Sequence, residues 1–335
     1  MTAKTLLTGV KPTGAPHIGN YIGAIRPALS LAQSFDHSYL FIADYHALNA
    51  VHDAAAIKRD SYEVAACWLS LGLDPARTVF YRQSDVPEIF EIVTLLCAVT
   101  PKGLMDRSHA YKASVDKNRE AGRDDDADVN MGLYTYPILM AADILMAQTD
   151  VVPVGKDQVQ HIEFARDMAG YFNNTFAPVF KLPEHKLEQG GAVLPGIDGR
   201  KMSKSYNNHI PVFMDSKARR KLVMKILTDS KLPEEAKDPD DNIVFQLYAQ
   251  MAKPDEVAAM RAAFTQGGMG YGTAKQALFD VLEREFEEPT RKYNDLMANP
   301  AAIDKLLAEG AERARIVARA TLSRAREAVG LKPLP

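Results

Sequence analysis

Short apolar runs alternate with amphipathic segments through the first part of the chain. Three of these runs are rich in β-branched and aromatic residues, which is typical of strands: TLLTGV (5–10), SYLFIAD (38–44) and TVFYRQ (78–83). Between them, Tyr21–Phe35 and Asp53–Leu71 carry apolar residues at spacings of three and four, the period of one helix face. This alternation predicts a parallel sheet with right-handed crossovers, whose ligands bind beyond the carboxyl ends of the strands.

The pattern changes twice further along the chain. From Asp106 to Asp128 the residues are mostly polar, which predicts an exposed insertion or a pair of loops, and the acidic stretch at 124–128 has no role that the sequence indicates. A helical pattern returns over Met131–Ala147, and a further helix is predicted through Asp157–Phe172, after the short run VVPVG. Beyond about Pro211 only helical patterns remain. The chain is therefore predicted to be an α/β unit followed by helices.

Composition narrows the class of protein. The chain has 335 residues, of which 47% are hydrophobic and 25% charged, and this balance supports a globular core. A net charge of −3 excludes a uniformly basic nucleic-acid binder but leaves local basic surfaces open. Two stretches concentrate cations, Lys217–Lys225 and Arg313–Arg326. Each is interpreted either as a solvated helix face or as a contact for nucleic acid.

Cysteine usage and hydropathy indicate the compartment. Cys67 and Cys97 are far apart and lack the spacing of metal ligands, so a zinc ribbon is excluded. Both stand among apolar neighbours, which predicts buried, reduced thiols. The N-terminus has no apolar run typical of a signal peptide, and no apolar stretch reaches the roughly 18 residues of a membrane span. We therefore expect a cytoplasmic protein.

The loop after the first predicted strand, GVKPTGAPHIGN (9–20), is rich in glycine and proline and leads into a helix. Such a turn brings backbone close to a ligand, and a helix N-terminus offers N–H groups and partial positive charge to phosphate. A Walker A loop is excluded because Ala15 and Pro16 stand where that motif needs Lys and Ser or Thr, and G-x-G-x-x-G is absent. The loop therefore predicts a phosphate site with His17 and Asn20 at the helix start.

A second motif is the basic loop GRKMSKS (199–205). Its lysines, Lys201 and Lys204, form a mobile cationic arm suited to charge that develops on a triphosphate during attack at the α-phosphorus. An ordinary exposed basic loop is the alternative. The string KMSKS would occur by chance in on the order of one chain in ten thousand, which favours the phosphate-directed arm.

PHIGN (16–20) and KMSKS (201–205) resemble the two signatures of class I aminoacyl-tRNA synthetases. Longer strings are similar to the tryptophanyl-tRNA synthetase family: PTGAPHIGNYIGA (12–24), YPILMAADIL (136–145) and VPVGKDQVQHIEFARDMA (152–169). The resemblance covers nearly the whole chain. It implies a Rossmann-like α/β catalytic domain over residues 1–210, with the exposed insertion at about 106–128, and an α-helical, anticodon-binding domain over residues 211–335.

The resemblance also implies roles for individual residues. The expected catalytic residues are His17, Asn20, Lys201 and Lys204. The expected ATP contacts are Lys11, Pro12, Thr13, Gly19, Asn20, Gly155, Lys156, Asp157, Val193, Lys201, Met202, Ser203, Lys204 and Ser205. The expected tryptophan pocket consists of Leu7, His46, Tyr136, Met140, Asp143 and Gln158, with the carboxylate accepting the indole N–H.

The sequence itself supports one part of this pocket. Tyr136, Met140 and Asp143 follow i, i+4, i+7 spacing, which puts them on one helix face. A carboxylate on so apolar a face is costly unless it is paired or faces a ligand. A carboxylate in a surface salt bridge is the alternative.

The resemblance implies ATP-driven formation of tryptophanyl-adenylate and transfer of tryptophan to its tRNA. The expected substrates and partners are ATP, L-tryptophan and tRNA(Trp), and a homodimer is expected. Mg²⁺ is expected to arrive with ATP, because it neutralises the phosphates, and the sequence contains no metal cage of its own.

Three other functions are compatible with parts of the sequence. A tyrosyl-tRNA synthetase shares the chemistry, but a phenol both donates and accepts a hydrogen bond, whereas a lone carboxylate suits the pure donor of indole. A non-catalytic paralogue that binds tRNA or an amino acid has no need of His17, Lys201 and Lys204. A nucleotidyltransferase for a small metabolite shares the histidine loop but leaves the helical C-terminal part unexplained.

Overall fold

The structure is a computed structural model that describes residues 3–187 and 194–334. The strands are β1 (Thr5–Val10), β2 (His37–Ile42), β3 (Thr78–Arg82), β4 (Val151–Val154) and β5 (Glu184–Leu187). They form one sheet in the order β3-β2-β1-β4-β5, and every neighbouring pair is parallel. The predicted α/β fold with a parallel sheet is therefore confirmed.

Helices cover both faces of this sheet and form the C-terminal part. Those of the first part are α1 (Ile18–Asn20), which continues through a π-helical turn (Tyr21–Ile25) into α2 (Arg26–Ala32), then α3 (Asp44–Ala47), α4 (Ala54–Ser70), α5 (Glu88–Cys97), α6 (Lys102–Met105), α7 (His109–Glu120), α8 (Met131–Met146) and α9 (Val159–Thr175). Short 3₁₀ turns precede α5 and α9, at Gln83–Asp85 and Lys156–Gln158. The C-terminal helices are α10 (Ser216–Met224), α11 (Ile243–Met251), α12 (Pro254–Gln266), α13 (Tyr271–Ala298) and α14 (Pro300–Ala328).

Most predicted elements agree with the structure to within a few residues. Asp53 caps α4, since its Oδ1 accepts the N–H groups of Ala55 and Ala56 at 2.9 and 3.3 Å. The first helix runs over 18–32 rather than 21–35, because a reciprocal cap between His17 and Asn20 starts it earlier. Side-chain capping, rather than apolar spacing, sets this boundary.

Of the two interpretations of residues 106–128, a pair of loops is wrong, because α7 occupies His109–Glu120, and an exposed insertion stays a prediction. The sequence of α7 has little apolar periodicity, since only Val115 and Asn118 of this helix are buried. The acidic turn that follows is neutralised within the insertion. Asp125 pairs with Arg119 at 2.7 Å, and Asp128 pairs with Arg123. The carboxylates at 124–128 thus order a turn.

The sequence analysis also missed β5. Its four residues, EHKL, are all exposed and show no apolar alternation. The strand exists because its backbone pairs with β4, with Val151 opposite Glu184 and Val154 opposite Leu187. Edge strands of this kind depend on backbone hydrogen bonds that composition does not reveal.

The two cysteines differ in their surroundings. Cys67 on α4 is buried as predicted, and burial raises the pKa of its thiol above the ordinary value. Cys97 is exposed at the end of α5, so the prediction of burial was wrong there. Leu95 and Leu96 face the core, and the next residue along a helix points about 100° away.

The C-terminal helix α14 packs directly on β3. Gly310 lies against this strand so closely that a Cβ there would be 1.8 Å from the backbone oxygen of Phe80. Side chains of α13 and α14, such as Phe286 and Leu307, share one buried cluster with Val64 of α4. The helices after residue 211 are therefore packed onto the α/β part. The domain boundary at 210 stays a prediction.

The strand order sets the position of the functional site. From β1 the chain proceeds to β2 on one side, and β4 lies on the other side. In open α/β sheets, ligands bind where the strand order reverses in this way, beyond the carboxyl ends of the strands. Over the residues that the structure describes, no helix is long and apolar enough to cross a membrane.

Candidate active site

A cavity of about 470 Å³ opens at this switch point, between the carboxyl ends of β1 and β4. All six residues expected in the tryptophan pocket line it: Leu7, His46, Tyr136, Met140, Asp143 and Gln158. Among the expected ATP contacts, those that line it are Lys11, Thr13, Asn20, Gly155 and Lys204. The tertiary structure thus brings the two signature loops and the predicted helix face of α8 to one cavity.

Other expected ATP contacts lie around this cavity rather than in its wall. Lys156, Asp157, Lys201 and Ser205 are exposed, His17, Gly19 and Ser203 are half-buried, and Pro12 is buried. Met202 is 4% exposed and packs in the buried cluster with Ile18 and Leu194, so only its backbone is available to a ligand. Val193 lies outside the described residues.

The histidine loop is organised by a reciprocal cap at the start of α1. Nδ1 of His17 accepts the N–H of Asn20 at 3.3 Å, and Oδ1 of Asn20 accepts the N–H of His17 at 3.1 Å. Because Nδ1 accepts, the neutral imidazole carries its proton on Nε2 and offers a donor there. A Cβ at Gly19 would lie 2.9 Å from Cε1 of His17, so glycine leaves the space that this ring occupies.

The lysine loop closes onto the histidine loop. Nζ of Lys204 donates to the backbone oxygen of Thr13 at 3.1 Å, which joins the two signatures across the cavity mouth. The loop is shaped from within by Asn208, which is 2% exposed. Its Nδ2 donates to the oxygen of Lys201 at 3.1 Å, and its Oδ1 accepts the N–H of Ser203 at 2.9 Å. Asn208 was missed in the sequence, where an asparagine after a polar loop reads as a turn residue.

Electrostatics at the cavity mouth are positive. Burial, then His209, then Lys204 lower the pKa of His17 from 6.5 to about 4. Burial and Lys204 also lower the pKa of His209. No carboxylate contributes to either shift. The ammonium group of Lys204 and the imidazole N–H of His17 are complementary to an anion, and Glu63, whose Oε2 accepts the N–H of Ala15, is the carboxylate that approaches the same loop.

Asp143 is the most constrained residue of the cavity, with 1% of its surface exposed. Its Oδ2 bonds Nε2 of His46 at 3.0 Å, and Nε2 of Gln83 donates to Oδ1 and Oδ2 at 2.9 and 2.8 Å. Burial raises the pKa of this carboxyl, and the bonds to His46 and Gln83 oppose that rise. The alternative of a surface salt bridge is wrong, since the carboxylate is buried and paired.

Oδ1 of Asp143 can accept a further hydrogen bond from a ligand. A carboxylate oxygen accepts about two hydrogen bonds. Among the described residues, Oδ1 accepts only the amide of Gln83. Gln83 was not identified from the sequence, although it ends the third predicted strand, which is where ligand-binding residues of such sheets occur.

A second buried pair supports the same helix face. The hydroxyl of Tyr136 lies 2.5 Å from Nε2 of His161, on α9. His161 is 6% exposed, and burial is the main cause that lowers its pKa. This pair orients the Tyr136 hydroxyl in the cavity wall. His161 was also missed, because a histidine within a helical pattern carries no specific signal.

The two basic stretches differ in the exposure and pairing of their cations. In the first, Arg219 is 1% exposed and binds Glu283 inside the fold, whereas Lys217, Arg220, Lys221 and Lys225 are exposed. In the second, four arginines are engaged within the chain: Arg313 with the oxygen of Pro75, Arg315 and Arg319 with Glu88, and Arg326 with Glu91. Arg315, Arg319 and Arg326 therefore hold α14 against α5, whereas Arg324 is exposed, and contact of this stretch with tRNA stays a prediction.

The sheet, the switch-point cavity and the joined signature loops define a class I synthetase architecture. The family model for class I tRNA synthetases (W and Y) matches residues 2–287. The chain belongs to this family, which confirms the resemblance of its two signature strings.

Two relatives and one solved structure indicate which member of the family this chain resembles. The chain is 49% identical over 336 residues to the tryptophan–tRNA ligase of Neisseria meningitidis, covering 100% of both chains. It is 51% identical over 333 residues to that of Pseudomonas aeruginosa, covering 98% of this chain and 74% of the relative. The crystal structure of tryptophanyl-tRNA synthetase from Campylobacter jejuni, complexed with ADP and tryptophan, has a TM-score of 0.87 and 39% identity, covering 98% of this chain and 100% of that one.

Proposed function

We propose that this chain activates L-tryptophan with ATP, forming tryptophanyl-adenylate and pyrophosphate, and then transfers tryptophan to the 3′ end of tRNA(Trp). The observation that carries the proposal is the single cavity that combines the docked lysine loop with the buried carboxylate of Asp143. One end of the cavity suits a polyphosphate and the other an apolar ring with one N–H donor. Relatives that match this chain over nearly its whole length are named for the same reaction.

ATP binding is assigned to the two signature loops and the turn after β4. Lys11, Thr13 and Asn20 contact the nucleotide from the β1 side, with Pro12 and Gly19 shaping the loop. Gly155, Lys156 and Asp157 hold the ribose and adenosine. The loop from Lys201 through Met202, Ser203 and Lys204 to Ser205 closes on the β- and γ-phosphates. His17, Asn20, Lys201 and Lys204 act in catalysis by stabilising charge that develops as pyrophosphate leaves.

Tryptophan binding is assigned to the α8 face. Asp143 accepts the indole N–H at Oδ1, while His46 and Gln83 keep its carboxylate oriented. Leu7 and Met140 contact the ring, and Tyr136 and Gln158 offer polar groups to the amino-acid end. Phenylalanine brings no donor and would leave the buried carboxylate with an unmet acceptor, so the pocket rejects it.

Magnesium accompanies ATP in this proposal. A divalent cation bridges phosphate oxygens and needs few protein ligands when the nucleotide supplies most of them. The cavity mouth carries the positive charge of Lys204, while the imidazole of His17, whose pKa is lowered to about 4, is neutral near pH 7. A magnesium ion would therefore be held chiefly by the phosphates of ATP and would neutralise part of their charge.

The exposed lysines and arginine of α10 are assigned to the tRNA backbone. Lys217, Arg220, Lys221 and Lys225 lie along one short helix of the C-terminal part. Phosphate contacts of this type position a nucleic acid without reading its sequence. The anticodon itself is assigned to the helical part over residues 211–335.

A homodimer is supported by an exposed apolar patch near the active site. Leu48, Phe90 and Met131 are 48%, 44% and 69% exposed. The segments that carry them meet, since Phe90 packs edge-to-face on Tyr45 and Nδ2 of Asn49 donates to Gly132. Large exposed apolar side chains that cluster in this way mark protein interfaces. The cytoplasm, where tRNA is charged, is the proposed location.

The test is tryptophan-dependent exchange of labelled pyrophosphate into ATP, run with each of the twenty amino acids. We expect exchange with tryptophan alone. Exchange with tyrosine instead would identify a tyrosine enzyme, and the absence of exchange under every condition would identify a non-catalytic paralogue. A nucleotidyltransferase would exchange pyrophosphate without any amino acid.

A further inference from the structure

His209 is a titratable group beside His17, and the proposed mechanism gives it no role. It lies five residues after Lys204, on a stretch that is hydrogen-bonded to the segment before α1. The N–H of Ile18 donates to the oxygen of Ile210 at 2.9 Å. The N–H of Val212 donates to the oxygen of Pro16 at 3.1 Å. The backbone therefore holds this histidine at the start of α1.

As a result, two imidazoles from distant parts of the chain stand side by side. The ring centroids of His17 and His209 are 5.9 Å apart, with a tilt of 51° between the rings. Within the described part of the chain, Nδ1 of His209 is buried and has no hydrogen-bond partner. A proton on that nitrogen would be a buried donor without an acceptor, so the neutral ring carries its proton on Nε2.

The charged groups around this ring favour an anion. His17 offers a donor at Nε2, because its Nδ1 is engaged by Asn20. Lys204 adds a cation, and its field contributes to the lowered pKa of both histidines. The carboxylate on the adjacent helix α4, Glu63, is engaged by the N–H of Ala15 at 2.8 Å. The rings of His17 and His209 and the ammonium group of Lys204 thus lie near one another, and Glu63, which approaches Gly14 beside Lys204, is the neighbouring carboxylate.

We propose that His209 is a further phosphate-binding residue, which donates from Nε2 to the β- or γ-phosphate of ATP and to pyrophosphate, beside His17 and Lys204. The inference rests on the proposed ATP role of the two signature loops. The contact is non-covalent, and it is made only to the part of ATP that leaves. AMP lacks that part, so its binding does not depend on His209.

The test compares His209→Ala and His209→Gln with wild type in tryptophan-dependent pyrophosphate exchange. For His209→Ala we expect the KM values for ATP and for pyrophosphate to rise about tenfold, the loss of one hydrogen bond to a charged group. The KM for tryptophan and the inhibition constant of AMP should stay within about twofold of wild type. His209→Gln retains an N–H donor at a similar reach and should recover most of the affinity for pyrophosphate.

His37→Ala is the matched control. This histidine is exposed at the amino end of β2, whereas the cavity lies at the carboxyl ends of the strands. Unchanged KM values for ATP and pyrophosphate in His209→Ala would overturn the inference. A parallel rise in the constants for tryptophan and AMP would assign His209 to loop packing and overturn it as well. If His209→Ala does not fold, the pyrophosphate affinity of His209→Gln and of a His209→Leu variant decides.

A Lys204→Ala arm separates this inference from the proposed function. If Lys204→Ala impairs exchange and His209→Ala does not, the inference fails and the proposed function stands. If wild-type exchange does not depend on tryptophan, the proposed function fails first.

Discussion

At the residue scale, selectivity depends on one buried carboxylate and the two groups that hold it. His46 and Gln83 reach Asp143 from the ends of β2 and β3, so the carboxylate is oriented before any ligand arrives. Such preorganisation adds specificity, because a ligand without the matching donor leaves a buried acceptor unpaired. The carboxylate thus holds His46 and Gln83 in place and is the proposed acceptor for the indole N–H.

Replacing Asp143 tests whether its carboxylate selects tryptophan over phenylalanine. Wild type is expected to prefer tryptophan over phenylalanine by roughly 10⁴–10⁵ in kcat/KM. In Asp143→Ala the preference should fall by on the order of 10², since the indole N–H loses its acceptor. Asp143→Asn keeps one carbonyl oxygen and should retain part of the selectivity. The measurement is kcat/KM for tryptophan, tyrosine and phenylalanine in pyrophosphate exchange. Ratios that hardly change in Asp143→Ala would make this residue purely structural.

A second residue-scale prediction concerns His17 and pH. Burial, His209 and Lys204 lower its pKa from 6.5 to about 4 in the folded protein. Between these values the unfolded chain binds a proton that the folded chain does not, so the free energy of unfolding decreases as pH falls from 6.5 to about 4. His17→Asn keeps a residue suited to the helix cap and removes the titrating ring. Its stability should therefore decrease less steeply across this window.

The measurement is urea unfolding of wild type and His17→Asn at several pH values between about 7 and 4.5. His37→Ala serves as the control, because it removes an exposed imidazole at the amino end of β2, away from the histidine loop. Identical slopes for wild type and His17→Asn would contradict the lowered pKa.

At the scale of elements, α14 joins the C-terminal part to the sheet. Gly310 permits backbone contact with Phe80, and Glu88 of α5 binds Arg315 and Arg319 at 3.0 and 2.8 Å. Burial raises the pKa of Glu88, but its backbone hydrogen bond and the two guanidinium groups outweigh burial, and the pKa lies below its usual value. Arg315 and Arg319, which were candidates for contact with nucleic acid, thus stabilise the packing of α14 on α5.

Gly310→Ala tests the helix–strand contact. A methyl group 1.8 Å from the oxygen of Phe80 cannot be accommodated without moving α14, so we expect a loss of stability of about 1–3 kcal/mol. Gly170→Ala on α9 is the matched control, because no atom lies within 4 Å of its added Cβ and alanine favours the helix. Thermal unfolding of both variants measures the difference. Equal midpoints would show that α14 does not approach β3 this closely.

At the scale of the whole molecule, the active-site helix is tied to the C-terminal helices. The hydroxyl of Tyr21 donates to Glu285 of α13 at 2.5 Å, and Arg26 donates to the oxygen of Gln250 of α11 at 3.1 Å. The phosphate loop and the helical part therefore share one framework. The basic surface of α10 belongs to the same part, which places the proposed tRNA contact on elements packed against the catalytic unit.

Removing cations from α10 tests the tRNA assignment. Lys217→Ala/Lys221→Ala should weaken tRNA binding and reduce the slope of log K against log salt by about 0.7–0.9 per lost phosphate contact. Adenylate formation should be unaffected, because both lysines lie outside the cavity. Lys58→Ala/Lys186→Ala changes the net charge equally at exposed positions of α4 and β5 and serves as control. Equal salt slopes in both double variants would assign the α10 lysines to a solvated face.

Local chemistry in the sequence determined much of this protein. Apolar period and β-branched runs were sufficient for β1 to β3, α4 and α8, since each of these elements buries one face or both. The two signature strings were sufficient for the family and for the residues of the phosphate site, because short loops with unusual residues carry their chemistry locally. The i, i+4, i+7 spacing likewise put Tyr136, Met140 and Asp143 on one face.

Only the tertiary structure decided which distant groups meet. No pattern in the sequence distinguishes Gln83, His161, Asn208 and His209. The fold brings them against Asp143, Tyr136, Ser203 and His17, respectively. The exposed strand β5 formed through backbone pairing, and the arginines of α14 found Glu88 across more than two hundred residues of chain. Hydrogen bonds and ion pairs of this kind depend on ångström distances between segments far apart in sequence, and no local pattern encodes such distances.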